Sequence, residues 1–420
     1  MAVGFFPLDE ELELLPGQLT PRCQEPLVRL GAWMPFARAA AMFTDFTRVT
    51  VNEDYARRHT EKAGAAYVTY QTTEVDRLER ETPTPPAGPD KLCLSADGAF
   101  VPLVGPEWAE VKTLMVGAVA PPVLEKGELV VHVEAISYFS RLTDNHTFGR
   151  LALVETHRRG VERAAQAAAV LDGAEWLQGF VDFHRPDATR ILDFPHGASY
   201  VHVVGQGAYG DGTPETQRWL SAQLHQLKHA GPHDVFVELR GLVQAQPDQQ
   251  EMADALAYLE KREAQMQYPL FKAAGWPIGS GSMESGNKLV VEARLKGSGM
   301  HWARPHVDPM LALRNLVCND RWDEGWAQIV TTLRQQTTAA HTARRQKRQA
   351  ARVAARVTTE HLPVVPVPEP LPNEPPTTAT IAVRAEKTRS RCPAANHPWR
   401  HTCFGRAQYQ PAKPKNDAKR

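Results

Sequence analysis

Three short acidic segments, far apart in the chain, hold the residues best suited to chemistry. They are Ser95–Gly98 with Asp97, Leu171–Trp176 with Asp172, and Gly279–Lys288 with Glu284. In each segment a carboxylate stands at a chain reversal, either at the end of an apolar run or at the start of a helix. Brought together, three carboxylates would form a hard, oxygen-rich site that suits Mg²⁺ or Mn²⁺ and phosphoryl transfer with two metal ions.

The two aspartates each precede a glycine. Asp-Gly is a common turn signal, so each of them taken alone is more simply an ordinary turn residue. We predict that Asp97 follows a strand over Lys91–Ala96 and that Asp172 follows a buried strand over Ala167–Leu171. The topology makes these strands neighbours, so the two carboxylates can converge, which favours a shared site.

Glu284 lies in a glycine-rich entry to a helix predicted over residues 283–295. Ser282 is a candidate N-cap, and the helix dipole favours the ionised form of a carboxylate in the first turn. Asn287 and Lys288 follow three and four residues later and are expected on the same face, where they could contact a DNA backbone. The alternative is a surface salt bridge between Glu284 and Lys288.

Asp193 and His196 end the next predicted strand, Thr189–Leu192. This pair could bind metal, orient the site or contact the substrate strand. A buried pair with satisfied hydrogen bonds is the alternative.

Residues 33–66 are predicted to form two helices of a helix-turn-helix type, within an N-terminal region over 1–80. The second helix would offer three cations to DNA, which are Arg57, Arg58 and Lys62. An ordinary helical hairpin explains the pattern equally well.

The chain is neutral overall, but its charge is unevenly distributed. Residues 331–420 contain 17 Lys and Arg against 5 Asp and Glu, a net charge of +12, so the first 330 residues carry −12. A basic tail on an acidic body suggests a polyanion partner. A solvated tail is the alternative, and residues 338–420, Ala/Arg-rich and then Pro-rich, are expected to be largely disordered.

The five cysteines form no CxxC pair, which argues against a disulfide framework or a structural zinc site. No apolar run approaches a membrane span, and the N-terminus lacks a signal-peptide pattern. We therefore expect a cytoplasmic protein without a membrane partner.

The predicted order of elements is three strands, a helix, a strand, a helix, a strand, a helical insertion over about 206–270, and further helices. This α/β order is that of a ribonuclease H-like mixed sheet, here over residues 90–330, with a small helical domain before it and a disordered basic tail after it.

Several segments together resemble insertion-sequence transposases of the ISKra type, which are allied to the Mutator-like DDE transposases. The resemblance covers roughly residues 5–330 and is carried by Leu94–Gly98 with EWAEVKTLMVG, by Asp172–Leu177, by Ile191–His196 and above all by IGSGSMESGNKLVVEARLKGSGMHW over Ile278–Trp302. It implies a DDE triad with Asp97 first and Glu284 last. Topology gives the middle position to Asp172, and Asp193 is the alternative.

The resemblance further implies a bacterial enzyme that cuts DNA at the ends of a mobile element and joins them to a target. Mg²⁺, or Mn²⁺ in its place, would be held by the triad. The partner would be double-stranded DNA, bound by a homo-oligomer on the nucleoid, with Arg294 and Lys296 as further DNA contacts. A truncated or domesticated DNA-binding relative, suggested by the abrupt start at Gly4–Gly17, and a non-mobile nuclease of the same fold are the alternatives.

Overall fold

The computed structural model describes residues 19–125 and 127–360. One compact unit extends to Val353, and a second begins at Ala354, of which only the helical residues 354–360 are described. The abrupt start at Gly4–Gly17 and the Pro-rich part of the tail lie outside the described residues. Helices of the predicted N-terminal region belong to the same compact unit as the sheet.

Within the described ranges, seven strands form a five-stranded mixed sheet and a small separate hairpin. They are β1 (Lys91–Pro102), β2 (Trp108–Val119), β3 (Val123–Glu125), β4 (Glu128–Val130), β5 (Val133–Arg141), β6 (Gln166–Leu171) and β7 (Thr189–Leu192). The sheet has the order β5-β2-β1-β6-β7. Its first three strands in chain order pair antiparallel, and β6 and β7 run parallel to β1.

Fourteen α-helical segments can be labelled in the described chain. They are α1 (Pro21–Trp33), α2 (Phe36–Thr47), α3 (Glu53–Glu81), α4 (Asn145–Arg158), α5 (Glu175–His184), α6 (Phe194–Tyr209), α7 (Pro214–His229), α8 (Pro232–Ala245), α9 (Gln250–Glu260), α10 (Tyr268–Ala273), α11 (Gly281–Gly286), α12 (Ala293–Leu295), α13 (Arg304–Cys318) and α14 (Trp322–Glu360). A π-helical segment, Asn287–Glu292, joins α11 to α12.

The sheet is covered on both faces, which makes three layers. On one face, Leu92 and Leu94 of β1 pack with Phe148 of α4 and Phe180 of α5. On the other face, Cys93 and further apolar strand residues pack with α6, the π-helical segment and α13. The alternation of residues along β1 therefore decides which layer each side chain enters.

Two predicted strand boundaries, the end of β1 and the start of β6, are wrong. β1 does not end before Asp97 but continues to Pro102, with Asp97 opposite Thr113 of β2. β6 begins one residue earlier than predicted, at Gln166. Asn52 is the N-cap of α3, since its side chain accepts a hydrogen bond from the Tyr55 amide.

Residues 338–360 are helical, although disorder was predicted for them, and α14 continues to Glu360. Ala, Gln and Arg are strong helix formers, and this composition accounts for the continued helix. None of the helices within 19–360 combines the length and the apolar character needed to cross a membrane.

Candidate active site

Three aspartates lie level with one another across the parallel part of the sheet. The register that pairs Leu94 of β1 with Ala169 of β6, continued for three residues, puts Asp97 level with Asp172, which directly follows the last residue of β6. The pairing of Leu171 with Leu192 likewise puts Asp193 level with Asp172. This row stands at the carboxyl ends of β6 and β7, where α/β sheets bind their ligands.

Asp97 is a half-buried carboxylate whose two oxygens both accept hydrogen bonds. Oδ1 accepts from the backbone amide of Gly98 at 2.7 Å, and Oδ2 accepts from Nδ2 of Asn287 at 2.9 Å. Burial raises the pKa of Asp97 above its usual value, and the negative charges of Asp172 and Glu110 raise it further, against the opposing effect of the two hydrogen bonds. An extra positive charge is therefore favoured beside Asp97.

Hydrogen bonds hold both the side chain and the main chain of Asp172. Its Oδ1 accepts from the Ala174 amide at 2.8 Å, and its carbonyl oxygen accepts from the Tyr258 hydroxyl. Arg262 donates from Nε and Nη2 to the carbonyl of Gly173 at 2.9 and 2.6 Å, and its guanidinium lies 3.7 Å from the Tyr258 ring centroid. The helical insertion thus clamps the loop that carries Asp172.

Gly173 is required by this clamp. Its φ of +84° lies in the left-handed region, and a Cβ there would overlap the Tyr258 hydroxyl and the Arg262 side chain. The Asp-Gly step is a turn, as the simpler interpretation held, but one shaped to receive two side chains from the insertion.

Asp193 is a buried residue that joins β7 to the segment before α11. Its Oδ2 accepts from the His196 amide at 3.1 Å as the N-cap of α6, and its Oδ1 accepts from the Ser280 amide at 2.6 Å. The His196 ring lies 5.4 Å from Tyr200 and 6.0 Å from Tyr258. Both carboxylate oxygens of Asp193 therefore serve the protein's own backbone.

Glu284 lies in the first turn of α11, as predicted, but its side chain faces solvent. Its carboxylate binds Lys288 at 2.6 Å, and both side chains are more than 60% exposed, at 69% and 64%. This hydrogen bond lowers the pKa of Glu284. Ser282 lies inside the helix, and Ser280 occupies the N-cap position without a side-chain cap.

Asn287 does not share the exposed face of Glu284 and Lys288. It begins the π-helical segment, is only 7% exposed and points its amide nitrogen at Asp97. Its Oδ1 is buried and accepts no hydrogen bond from any residue that the structure describes. This orphaned oxygen is the structural sign that the surroundings of Asp97 suit a cation.

The oxygens at this point of the sheet fit a hard divalent cation. Asp97, Asp172 and Asn287 offer carboxylate and amide oxygens, the donors that Mg²⁺ and Mn²⁺ prefer. Within the described ranges, no group of three or more His, Cys, Asp and Glu side chains is close enough to hold a metal. Glu284 is not a member of this group of oxygens while its carboxylate binds Lys288.

The residues predicted to contact DNA differ in how available they are. Arg57 is half-buried and paired with Asp54 and Glu61 at 2.7 and 3.0 Å, and Arg58 is paired with Asp54 at 2.9 Å. Lys62 is exposed. These pairs leave the predicted cationic surface of α3 partly neutralised.

The prediction that Arg294 contacts DNA is wrong, because its side chain is buried. It is 1% exposed, its guanidinium lies 4.6 Å from the Phe36 ring and 5.1 Å from Trp302, and Nε donates to the Gly31 carbonyl at 3.0 Å. Burial lowers its pKa to about 10. Arg294 anchors α1 and α2 to the helical run after Gly281, while Lys296 binds Glu292 at 2.9 Å on the surface.

Sequence reasoning missed Tyr258 and Arg262, the two residues that hold the Asp172 loop. Their spacing of four residues would have placed them on one helical face. Nothing local indicated that this face meets a loop 86 residues earlier in the chain.

No model of a known protein family matches the chain, and no curated protein matches it.

Proposed function

We propose that this chain is a DNA transposase that hydrolyses phosphodiester bonds at the ends of an insertion sequence and transfers the freed strand. The observation that carries the proposal is the level placement of Asp97 on β1 and of Asp172 directly after β6, the adjacent parallel strand. It supports, on geometric grounds, the first two positions of the triad that the ISKra-type resemblance implies.

The sheet order supports a ribonuclease H-like core for this proposal. Numbered within the main sheet alone, the strands run 3-2-1-4-5, with the first three antiparallel. The helical insertion enters after β7 and returns to brace the Asp172 loop. A catalytic site needs such support, because its residues must be held rigidly in the productive geometry.

Asp97 and Asp172, with the amide of Asn287, would hold the divalent cation. When bound, Mg²⁺ or Mn²⁺ supplies an activated water and neutralises charge on the leaving oxygen. The chain's own residues orient the site: Gly98 and Asn287 fix Asp97, and Tyr258 and Arg262 fix the Asp172 loop. Glu284 would join the site only after its ion pair with Lys288 opens.

Double-stranded DNA would be held largely by exposed cations. α14 presents basic side chains to solvent along its second half, and these side chains are Arg344, Arg345, Lys347, Arg348 and Arg352. Phosphate contacts of this kind give affinity without sequence information. Assembly of several copies on the DNA would bring two element ends together.

One observation favours a second candidate, a DNA-binding relative that does not cut. Glu284 faces solvent and is paired with Lys288, away from the hydrogen bond that joins Asp97 to Asn287. A protein that retained this arrangement on DNA would bind element ends without completing the triad.

The deciding experiment uses the full chain and a duplex taken from the DNA that flanks its reading frame, inverted repeats included. Nicking at the repeat in Mg²⁺ or Mn²⁺, followed by strand-transfer products with a target duplex, supports a transposase. Nicking without transfer supports a nuclease. Binding without nicking, with Asp97→Asn binding as the parent does, supports the second candidate.

A further inference from the structure

Asn287 is the least satisfied polar group at the candidate site. Its side chain is more than nine-tenths buried, with 7% exposure. One end of its amide donates to Asp97, while Oδ1 accepts no hydrogen bond within the described chain. Leaving a buried amide oxygen without a partner is destabilising, so its retention beside a carboxylate needs an explanation.

The backbone has been adapted to bring Asn287 to this place. Asn287 opens the π-helical segment, a rare form of helix that is found mostly at functional sites. The residue before it, Gly286, lies against the Tyr138 ring on β5, and a Cβ there would overlap that ring. The helix can therefore approach the sheet closely enough for a short side chain to reach β1.

We propose that Asn287 supplies its amide oxygen as a ligand to a divalent cation bound by Asp97 in the DNA-free protein. Glu284, the family-implied ligand of the same helical run, is turned to solvent and bonded to Lys288. This inference deepens the proposed function and rests on it for the cation's role. It makes a separate claim about which side chain holds the ion.

The amide orientation follows from the chemistry of the two side chains. With no cation between them, the amide nitrogen must face Oδ2 of Asp97, because two oxygens would repel each other. After a half-turn of the Asn287 amide, its Oδ1 faces Oδ2 of Asp97. A cation bound between these two oxygens then has both of them as ligands.

Mn²⁺ binding to the full chain without DNA tests this assignment, measured by calorimetry and by the electron paramagnetic resonance signal of free Mn²⁺. Asn287→Ala should weaken binding by about tenfold or more. Asn287→Asp should restore it, because an aspartate offers an oxygen from nearly the same position. Glu292→Gln, which removes a carboxylate of another surface ion pair on the same helical run, is the matched control and should bind as the parent does.

Three results would overturn the assignment: parent-like binding by Asn287→Ala, weak binding by both Asn287 variants, or Mn²⁺ binding by the parent that survives Asp97→Asn. A loss of binding in Glu284→Gln with Asn287→Ala unchanged would return the ligand role to Glu284. DNA cleavage does not enter this readout. Asn287-dependent Mn²⁺ binding in a protein that never cuts DNA would therefore reject the proposed function and keep this inference.

Discussion

The amide nitrogen of Asn287 donates a 2.9 Å hydrogen bond to Oδ2 of Asp97. The two residues are 190 positions apart in the chain, so this bond ties the central strand of the sheet to the helical run that carries Glu284. It fixes the orientation of the carboxylate on which the proposed chemistry depends. It also makes the charge of Asp97 sensitive to changes in the π-helical segment.

Asp97→Asn should stabilise the metal-free protein at neutral pH. The folded-state pKa of Asp97 is raised, mainly by burial, so the stability that this group contributes is greatest at acid pH and is lost as pH rises through the folded pKa. In the variant, the new amide at position 97 could donate to Oδ1 of Asn287 after a half-turn of the Asn287 amide. Thermal unfolding in EDTA should therefore show a higher Tm than the parent at pH 7 and a smaller difference at pH 4. A variant that is less stable at both pH values would contradict this.

Gly286→Ala should destabilise the protein because the new methyl group meets the ring of Tyr138. Overpacking of this kind costs about 1–3 kcal/mol. Gly281→Ala is the control, since a Cβ at that exposed position meets nothing within 4 Å, and its effect should stay within about 0.5 kcal/mol. Urea unfolding measures both, and equal free energies of unfolding for the two variants would show that the close approach is not needed.

Arg262→Ala should damage cleavage more than Lys261→Ala. Both cations contact Glu175, but only Arg262 is buried and also bonds the carbonyl of Gly173. Loss of the clamp should cost about 2 kcal/mol of stability and, by letting the Asp172 loop shift, roughly 100-fold in single-turnover cleavage. Lys261→Ala should be near neutral in both measurements. Equal cleavage rates in the two variants would show that the insertion does not position the site.

Replacing Arg344, Arg345, Lys347 and Arg348 with Gln should weaken DNA binding and lower its salt dependence. If all four exposed cations contact phosphates, the slope of log K against log salt should fall in magnitude by about 3.6. Arg218→Gln removes a cation that is ion-paired within α7 and should leave the slope unchanged. An unaltered slope in the fourfold variant would show that α14 does not meet the DNA.

Sequence patterns predicted the local elements better than the contacts between them. β7 was predicted with its observed bounds, and the strand before Asp172 was wrong by one residue at its start, because short apolar runs bounded by Asp and Gly are strong local signals. β1 was predicted too short, since Asp97-Gly98 has the composition of a turn. Pairing of Asp97 with Thr113 on β2 overrides that preference.

The site itself could be predicted only in part. Glu284 in a first turn follows from the sequence, but the sequence left open whether its side chain joins the other carboxylates or binds Lys288 at the surface, as it does. Arg294 was predicted to contact DNA on the basis of the family resemblance. Its burial between Phe36 and Trp302 is a tertiary effect that a charge pattern does not contain.

The most direct test compares Asp172→Asn with Asp193→Asn in single-turnover cleavage of element-end DNA with Mg²⁺. The two aspartates directly follow the adjacent strands β6 and β7, but Asp193 caps α6 and holds the Ser280 amide, and asparagine is also a good N-cap. We expect Asp172→Asn to bind DNA as the parent does and to lose about a thousandfold or more in cleavage, since a metal-binding carboxylate is removed. Asp193→Asn should remain within about tenfold of the parent, because an interaction worth about 1 kcal/mol is changed. Cleavage that survives in Asp172→Asn but is abolished in Asp193→Asn would contradict the account.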